Sequence, residues 1–298
     1  MEIPPEVSAF YGQGTEAGRL DQEFRLEQAR TRELLTRHLP PAPAVILDVG
    51  GAAGAYALWL AAQGYEVHLV DPVPLHVEQA QRASATQSAP LASVRRGEAR
   101  SLERARASVD VVLLLGPLYH LLRRRERLAA LREARRVLRP GGLLFAAAIS
   151  RFASLLDGLR GALFADPDFE RIVEQDLVDG QHRNPTGRPQ YFTSAFFHRP
   201  EELTSEVRAA GLVLDDLVAL EGPGAFLHDL DLLWGDRRKR DTLLRFVRAV
   251  EREPSLLGLG PHLLAVAHRP RASGSASRRA SKRRADAPRA RQRVRRTG

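Results

Sequence analysis

The sequence predicts an α/β protein built on a mainly parallel sheet with helices packed against it. Three stretches carry that expectation. Residues 44–71, AVILDVGGAAGAYALWLAAQGYEVHLVD, read as strand, glycine turn, helix and strand. Val109 to Leu115 is a β-branched and leucine run of the kind that forms a buried parallel strand. Arg139-Pro140-Gly141-Gly142 stops a helical pattern and turns the chain into another apolar run, Gly142 to Ile149.

Composition narrows the function classes. The 298 residues are 44% hydrophobic, enough for one large domain with an inserted subdomain, or for two domains. No apolar run approaches the roughly 20 residues needed to cross a bilayer, and MEIPPEVSAF lacks the basic-then-apolar pattern of a leader. A soluble cytoplasmic protein is expected. The absence of cysteine removes disulfides, thiolate nucleophiles and cysteine-ligated metal, and no metal site is assigned. Net charge is +9, but residues 269–298 hold twelve Lys/Arg against the single acid Asp286, so the chain before them is slightly acidic. That tail is expected to be disordered, and the folded body is not a nucleic-acid-binding surface as a whole.

The 44–71 unit has specific physics. Its glycine turn lets backbone approach a ligand, the following helix presents free N–H groups, and Asp71 at the tip of the second strand can take a ribose diol. Asp48 directly precedes the turn, where a carboxylate repels a diphosphate and welcomes a cationic amine or sulfonium. The stretch D-V-G-G-A-A-G resembles motif I of the class I S-adenosylmethionine-dependent methyltransferases, written D/E-x-G-x-G-x-G, with Ala52 where the middle glycine belongs. Asp71 matches the ribose-binding acid of motif II.

The resemblance extends to EARRVLRPGGLLFAA and to GPLYHL at residues 116–121, a segment similar to one in a bacterial subset of that family. It implies a Rossmann-like seven-stranded sheet of order 3-2-1-4-5-7-6, strand seven antiparallel, with a helical lid insertion. It also implies S-adenosylmethionine as cofactor, held by Asp48, Gly50, Gly51, Gly54, Asp71, Glu98, Ala99 and Leu115. Glu98 matches the acid that bonds the adenine amino group; a solvated turn acid is the alternative.

In order, residues 1–40 are expected to be a lid segment, irregular to about residue 18 and helical from about Leu20 to His38, with Tyr11, Arg19, Glu27 and Arg32 as candidate contacts. The core, 41–150, continues past Asp71 with a helix from Leu75 to Ala83, on which His76 is expected at the surface, and a strand at Leu91 to Arg95. His120 and Tyr119 follow the Val109 to Leu115 strand, and the carboxyl ends of parallel strands face the ligand crevice. His120 is the candidate general base, with a structural histidine as the alternative, and Tyr119 orients the acceptor or walls the pocket.

Residues 151–199 form the insertion, where Phe192, Phe196, Phe197, His182 and His198 line the acceptor pocket or make the subdomain's own core. Residues 200–268 complete the sheet and carry a second insertion with Trp234 and a basic cluster, Arg237 to Arg240. The expected function is methyl transfer to an oxygen or nitrogen of a small molecule. RNA or protein methylation helped by the basic tail, and non-catalytic cofactor binding, are the rivals. Membrane association is not expected, and the sequence leaves the oligomeric state open.

Overall fold

The computed structural model describes residues 4–12, 14, 24–227 and 230–271. The basic tail from residue 272 onward and Arg19 lie outside them. One seven-stranded sheet organises the chain: β1 (Val45–Val49), β2 (Glu66–Asp71), β3 (Ser93–Arg96), β4 (Val109–Leu114), β5 (Leu138–Ile149), β8 (Val213–Ala219) and β9 (His262–His268). Its order is β3-β2-β1-β4-β5-β9-β8, with β9 antiparallel to both neighbours. This is the expected order, because β6 (Gln181–His182) and β7 (Ala195–Phe196) form a separate small hairpin inside the insertion.

Strand alternation sorts the core into two layers. Leu47, Val49, Val112, Leu114, Leu144 and Ala146 face α6 (Arg124–Val137) and α9 (Pro200–Ala209) through Leu131, Ala134, Leu203 and Val207. Ile46, Val111, Leu113, Phe145 and Val266 face α2 (Arg25–His38), α3 (Ala55–Ala61) and α4 (Pro74–Ala85) through Leu34, Leu35, Leu60 and Ala80. Helices on both faces leave the carboxyl ends of β1 to β4 as the open edge where loops gather. No helix among the described residues is long and apolar enough to cross a membrane.

The amino terminus departs from expectation. Pro5 to Tyr11, expected to be irregular, is a short helix, α1, with proline in its first turn, where the missing N–H costs nothing. Within 151–199, α7 (Ala153–Gly161) and α8 (Pro167–Asp179) carry their own apolar cluster of Phe169, Ile172, Val173 and Tyr191. Phe196, Phe197, His182 and His198 are buried within that subdomain. His182 is held by Asp176 at 2.8 Å and by the Tyr191 carbonyl at 2.8 Å. These side chains are structural. The second insertion forms α10 (Leu230–Trp234) and α11 (Arg237–Val250), and neither lines the cavity described below.

A buried ion pair fixes the loop that leaves the sheet at the site. Arg127 on α6, 3% exposed, donates to Glu206 of α9 at 2.7 to 3.1 Å and to the carbonyls of Leu121 and Leu122 at 2.9 Å. Its guanidinium also lies 3.6 Å over the Phe196 ring. Burial raises the Glu206 carboxyl, but His198 and Arg127 outweigh that and hold it below its ordinary range. Arg127→Ala leaves that charge with His198 as its remaining buried partner and two carbonyls without their donor, so urea unfolding is expected to show a loss of about 3–5 kcal/mol. A loss under about 1 kcal/mol would mean that the pair does not hold this corner.

Candidate active site

A cavity of about 660 Å³ opens at the carboxyl ends of β1 to β4, within the ~300–1,000 Å³ range of small-molecule sites. Gly50 and Ala52, Asp71, Glu98, Pro117 and His120 bring one side chain or turn from each strand end to its wall. The glycine turn is built for close approach. Gly50, Ala52 and Gly54 all take positive φ, at 71°, 48° and 92°, so Ala52 adopts the left-handed backbone that the resemblance assigns to glycine. A Cβ on Gly50 would lie 2.7 Å from Pro117, and this is what brings the turn against the GPLYHL segment.

Asp71 is the hub of one side of the cavity. Its Oδ2 accepts from the Ala52 N–H at 2.9 Å, and its Oδ1 from the Val73 N–H at 2.9 Å and from His76 Nδ1 at 3.1 Å. One carboxylate thus joins the turn, the β2–α4 corner and the first turn of α4. His76, expected at the surface, is 3% exposed and lines the cavity, because Asp71 draws it inward and Tyr11 packs over it.

Asp48 sits beneath the turn. Strand alternation puts it on the face of Ile46, and Gly51 passes so close that a Cβ there would meet Asp48 Oδ2 at 2.7 Å. Its Oδ2 has no hydrogen-bond partner. The acids in the cavity wall are Asp71, Glu98 and Glu126, and the expectation that Asp48 itself faces the ligand is corrected accordingly. Gly51, Gly54 and Leu115 likewise support the wall without forming it, whereas Glu98 and Ala99 do form it. Glu98 pairs with Arg100 at 2.5 Å, which orients its carboxylate at the cavity edge.

His120 ends the short helix α5 (Pro117–His120) that follows β4. Its Nδ1 lies 3.3 Å from the Ser194 carbonyl, which can only accept, so Nδ1 carries the hydrogen and Nε2 offers a lone pair. The Tyr11 hydroxyl donates to that Nε2 at 2.7 Å. His120 lines the cavity. Removal from water pushes the imidazole down to about 4, although the Ser194 carbonyl and Asp71 act in the other direction. Tyr119 packs edge-on against His120, with ring centroids 4.7 Å apart, and lines the cavity beside it.

Gln181 and Arg183 of the insertion also reach the wall, and nothing in their local sequence marked them. Of the other named candidates, Arg32 lies over the Trp59 ring. Glu27 approaches Glu221 and His262, and the donor atoms of these three lie within 4.8 Å of one another, apart from the cavity.

Burial, and then the nearby charge of Asp71, push the Asp48 carboxyl up from 3.8 to about 7. An acid raised on folding holds its proton more tightly in the folded state. Its stabilisation is full below about 4 and is lost as pH rises through about 7, at up to ~1.4 kcal/mol per pH unit. Asp48→Asn removes this dependence, so its stability in urea relative to the unaltered protein is expected to climb between pH 5 and 7. Parallel profiles would contradict the assignment.

Comparison with known proteins meets this geometry. A family model described as a methyltransferase domain matches residues 46–142. The ubiquinone biosynthesis O-methyltransferase of Methylocella silvestris is 30% identical over 237 residues, covering 75% of this chain and 82% of that protein. Its namesake from Methylobacterium nodulans is 28% identical over 216 residues, covering 72% and 76%. A solved S-adenosylmethionine-dependent methyltransferase from Methanosarcina mazei shares the fold, with a TM-score of 0.55 at 19% identity over 80% of this chain and 98% of that one. Strand order, family model and the extent of the match to the Methylocella protein agree: the chain belongs to the class I S-adenosylmethionine-dependent methyltransferases, with S-adenosylmethionine as its cofactor.

Proposed function

We propose that this enzyme methylates an oxygen or nitrogen of a small molecule bound beside His120. The observation that carries the reading is one cavity walled by Asp71 on its nucleoside side and by a histidine lone pair on the other. The curated relatives are named O-methyltransferases, which favours oxygen.

The residues present fit the cofactor. Asp71 Oδ2 keeps one lone pair that would take a ribose hydroxyl, Glu98 and the Ala99 backbone would flank the adenine edge, and the turn from Gly50 to Gly54 would take the methionine portion. S-adenosylmethionine supplies a methyl group already activated on a cationic sulfur. The chain therefore has two tasks, to align the acceptor and to remove its proton.

His120 is set up for the second task. It is neutral at physiological pH, the Ser194 carbonyl fixes its tautomer, and Nε2 already receives a hydroxyl proton from Tyr11. An acceptor hydroxyl that takes the place of Tyr11 would direct its own proton at the same nitrogen. Tyr119 walls the acceptor side, and Gln181 and Arg183 bound it from the insertion.

Incubation with S-adenosylmethionine and a panel of phenols and amines is expected to release S-adenosylhomocysteine only when an acceptor is present. Failure across the panel, with methyl incorporation into RNA or protein, would contradict the small-molecule reading. His120→Ala is expected to lower kcat about 100-fold with cofactor affinity changed less than about twofold. Because His120 loses its base function only near pH 4, kcat/KM is expected to stay flat from pH 8 down to about 5.5. An acid limb centred at 6.5 that disappears in His120→Ala would show the imidazole to be solvated instead.

A further inference from the structure

One histidine in the cavity wall, His76, has no role of its own in this scheme. With Nδ1–H given to the Asp71 carboxylate, His76 presents Nε2 as a lone pair, and that nitrogen is buried without a hydrogen-bond partner. The Tyr11 ring packs edge-on against the His76 ring, with centroids 5.6 Å apart. A buried acceptor left unsatisfied is costly, and a ligand hydroxyl would remove that cost.

The acceptors of Asp71 are nearly all taken. Oδ1 receives Val73 N–H and His76 Nδ1–H, which occupies both its lone pairs. Oδ2 receives Ala52 N–H and has one lone pair left. A ribose brings two vicinal hydroxyls, so Asp71 held in this way satisfies one of them. We propose that His76 Nε2 accepts the second, so that Asp71 and His76 together read the ribose diol of the cofactor.

This proposal rests on Asp71 as the ribose residue, and it adds a second residue that selects ribose over deoxyribose. Because Nε2 is buried, the wall around His76, against which Tyr11 packs, must open when the ligand enters.

Titration calorimetry with S-adenosylhomocysteine and its 2′-deoxy and 3′-deoxy analogues tests it on the unaltered protein, Asp71→Asn, His76→Asn and His76→Gln. Asparagine keeps an N–H for Asp71 but has no atom at the Nε2 position, whereas the glutamine amide reaches that position. The unaltered protein is expected to bind each deoxy analogue roughly 3- to 10-fold more weakly. In His76→Asn one of the two penalties disappears, and His76→Gln restores part of it.

Both penalties persisting in His76→Asn would overturn the proposal and leave the Asp71 assignment intact. Equal binding of all three ligands by the unaltered protein would overturn both. Histidine 15N shifts of the unaltered protein provide a readout without substitution. The His76 Nε2 signal is expected to move with S-adenosylhomocysteine and to stay with the analogue lacking its hydroxyl; no movement with either ligand would also overturn the proposal.

Discussion

The site depends on one carboxylate being held from three directions. Asp71 binds the N–H of Ala52 in the glycine turn, the N–H of Val73 at the start of the next helix, and the ring of His76. The turn following β1 is thereby tied to the tip of β2, and the backbone that would otherwise be free to flex is set at the cavity wall. Ala52 takes a left-handed conformation that costs an L-residue roughly 1–2 kcal/mol, and the hydrogen bond from its N–H to Asp71 offsets part of that cost.

A second anchor sets the His120 end of the cavity. Arg127 holds the carbonyls of Leu121 and Leu122 directly after His120, and Glu206 holds Arg127. The histidine thus stands on a short helix fixed at both ends, by the Gly50–Pro117 contact on one side and by this ion pair on the other. Its pKa follows from the same packing, since the insertion and α1 close around the ring and exclude water. The result is an imidazole that is neutral and oriented, which under the proposed function suits a reaction whose electrophile is already activated.

Local pattern made much of this legible. The glycine turn, Asp71 and the β4 strand with GPLYHL after it are short-range features, and each occupies the element that its sequence describes; Arg139 to Gly142, expected to turn the chain before the strand, instead lies within β5, with Gly141 at a φ of 85° where the register against β4 shifts. Misreadings arose where burial is decided by contacts distant in sequence. His76 looked like a surface residue because its helix is polar around it, yet Asp71 and Tyr11 enclose it. Asp48 was legible as a strand-end acid, but only the pairing of β1 with its neighbours shows that its side chain lies under the turn. The phenylalanines of the insertion could serve a pocket or a core: Phe196 on Arg127 and Phe197 on His182 are core, whereas Phe192 is half-buried with its ring centroid 5.8 Å from that of His120.

The central claim is that the wall formed by Asp71, the glycine turn and His120 is a single cofactor-and-acceptor site. A crystal structure with S-adenosylhomocysteine tests it most directly. The account predicts the ribose against Asp71, the amino-acid end along Gly50 to Gly54, and the sulfur facing an open volume bounded by His120 and Tyr119. Ligand density elsewhere, or a sulfur turned away from His120, would contradict it.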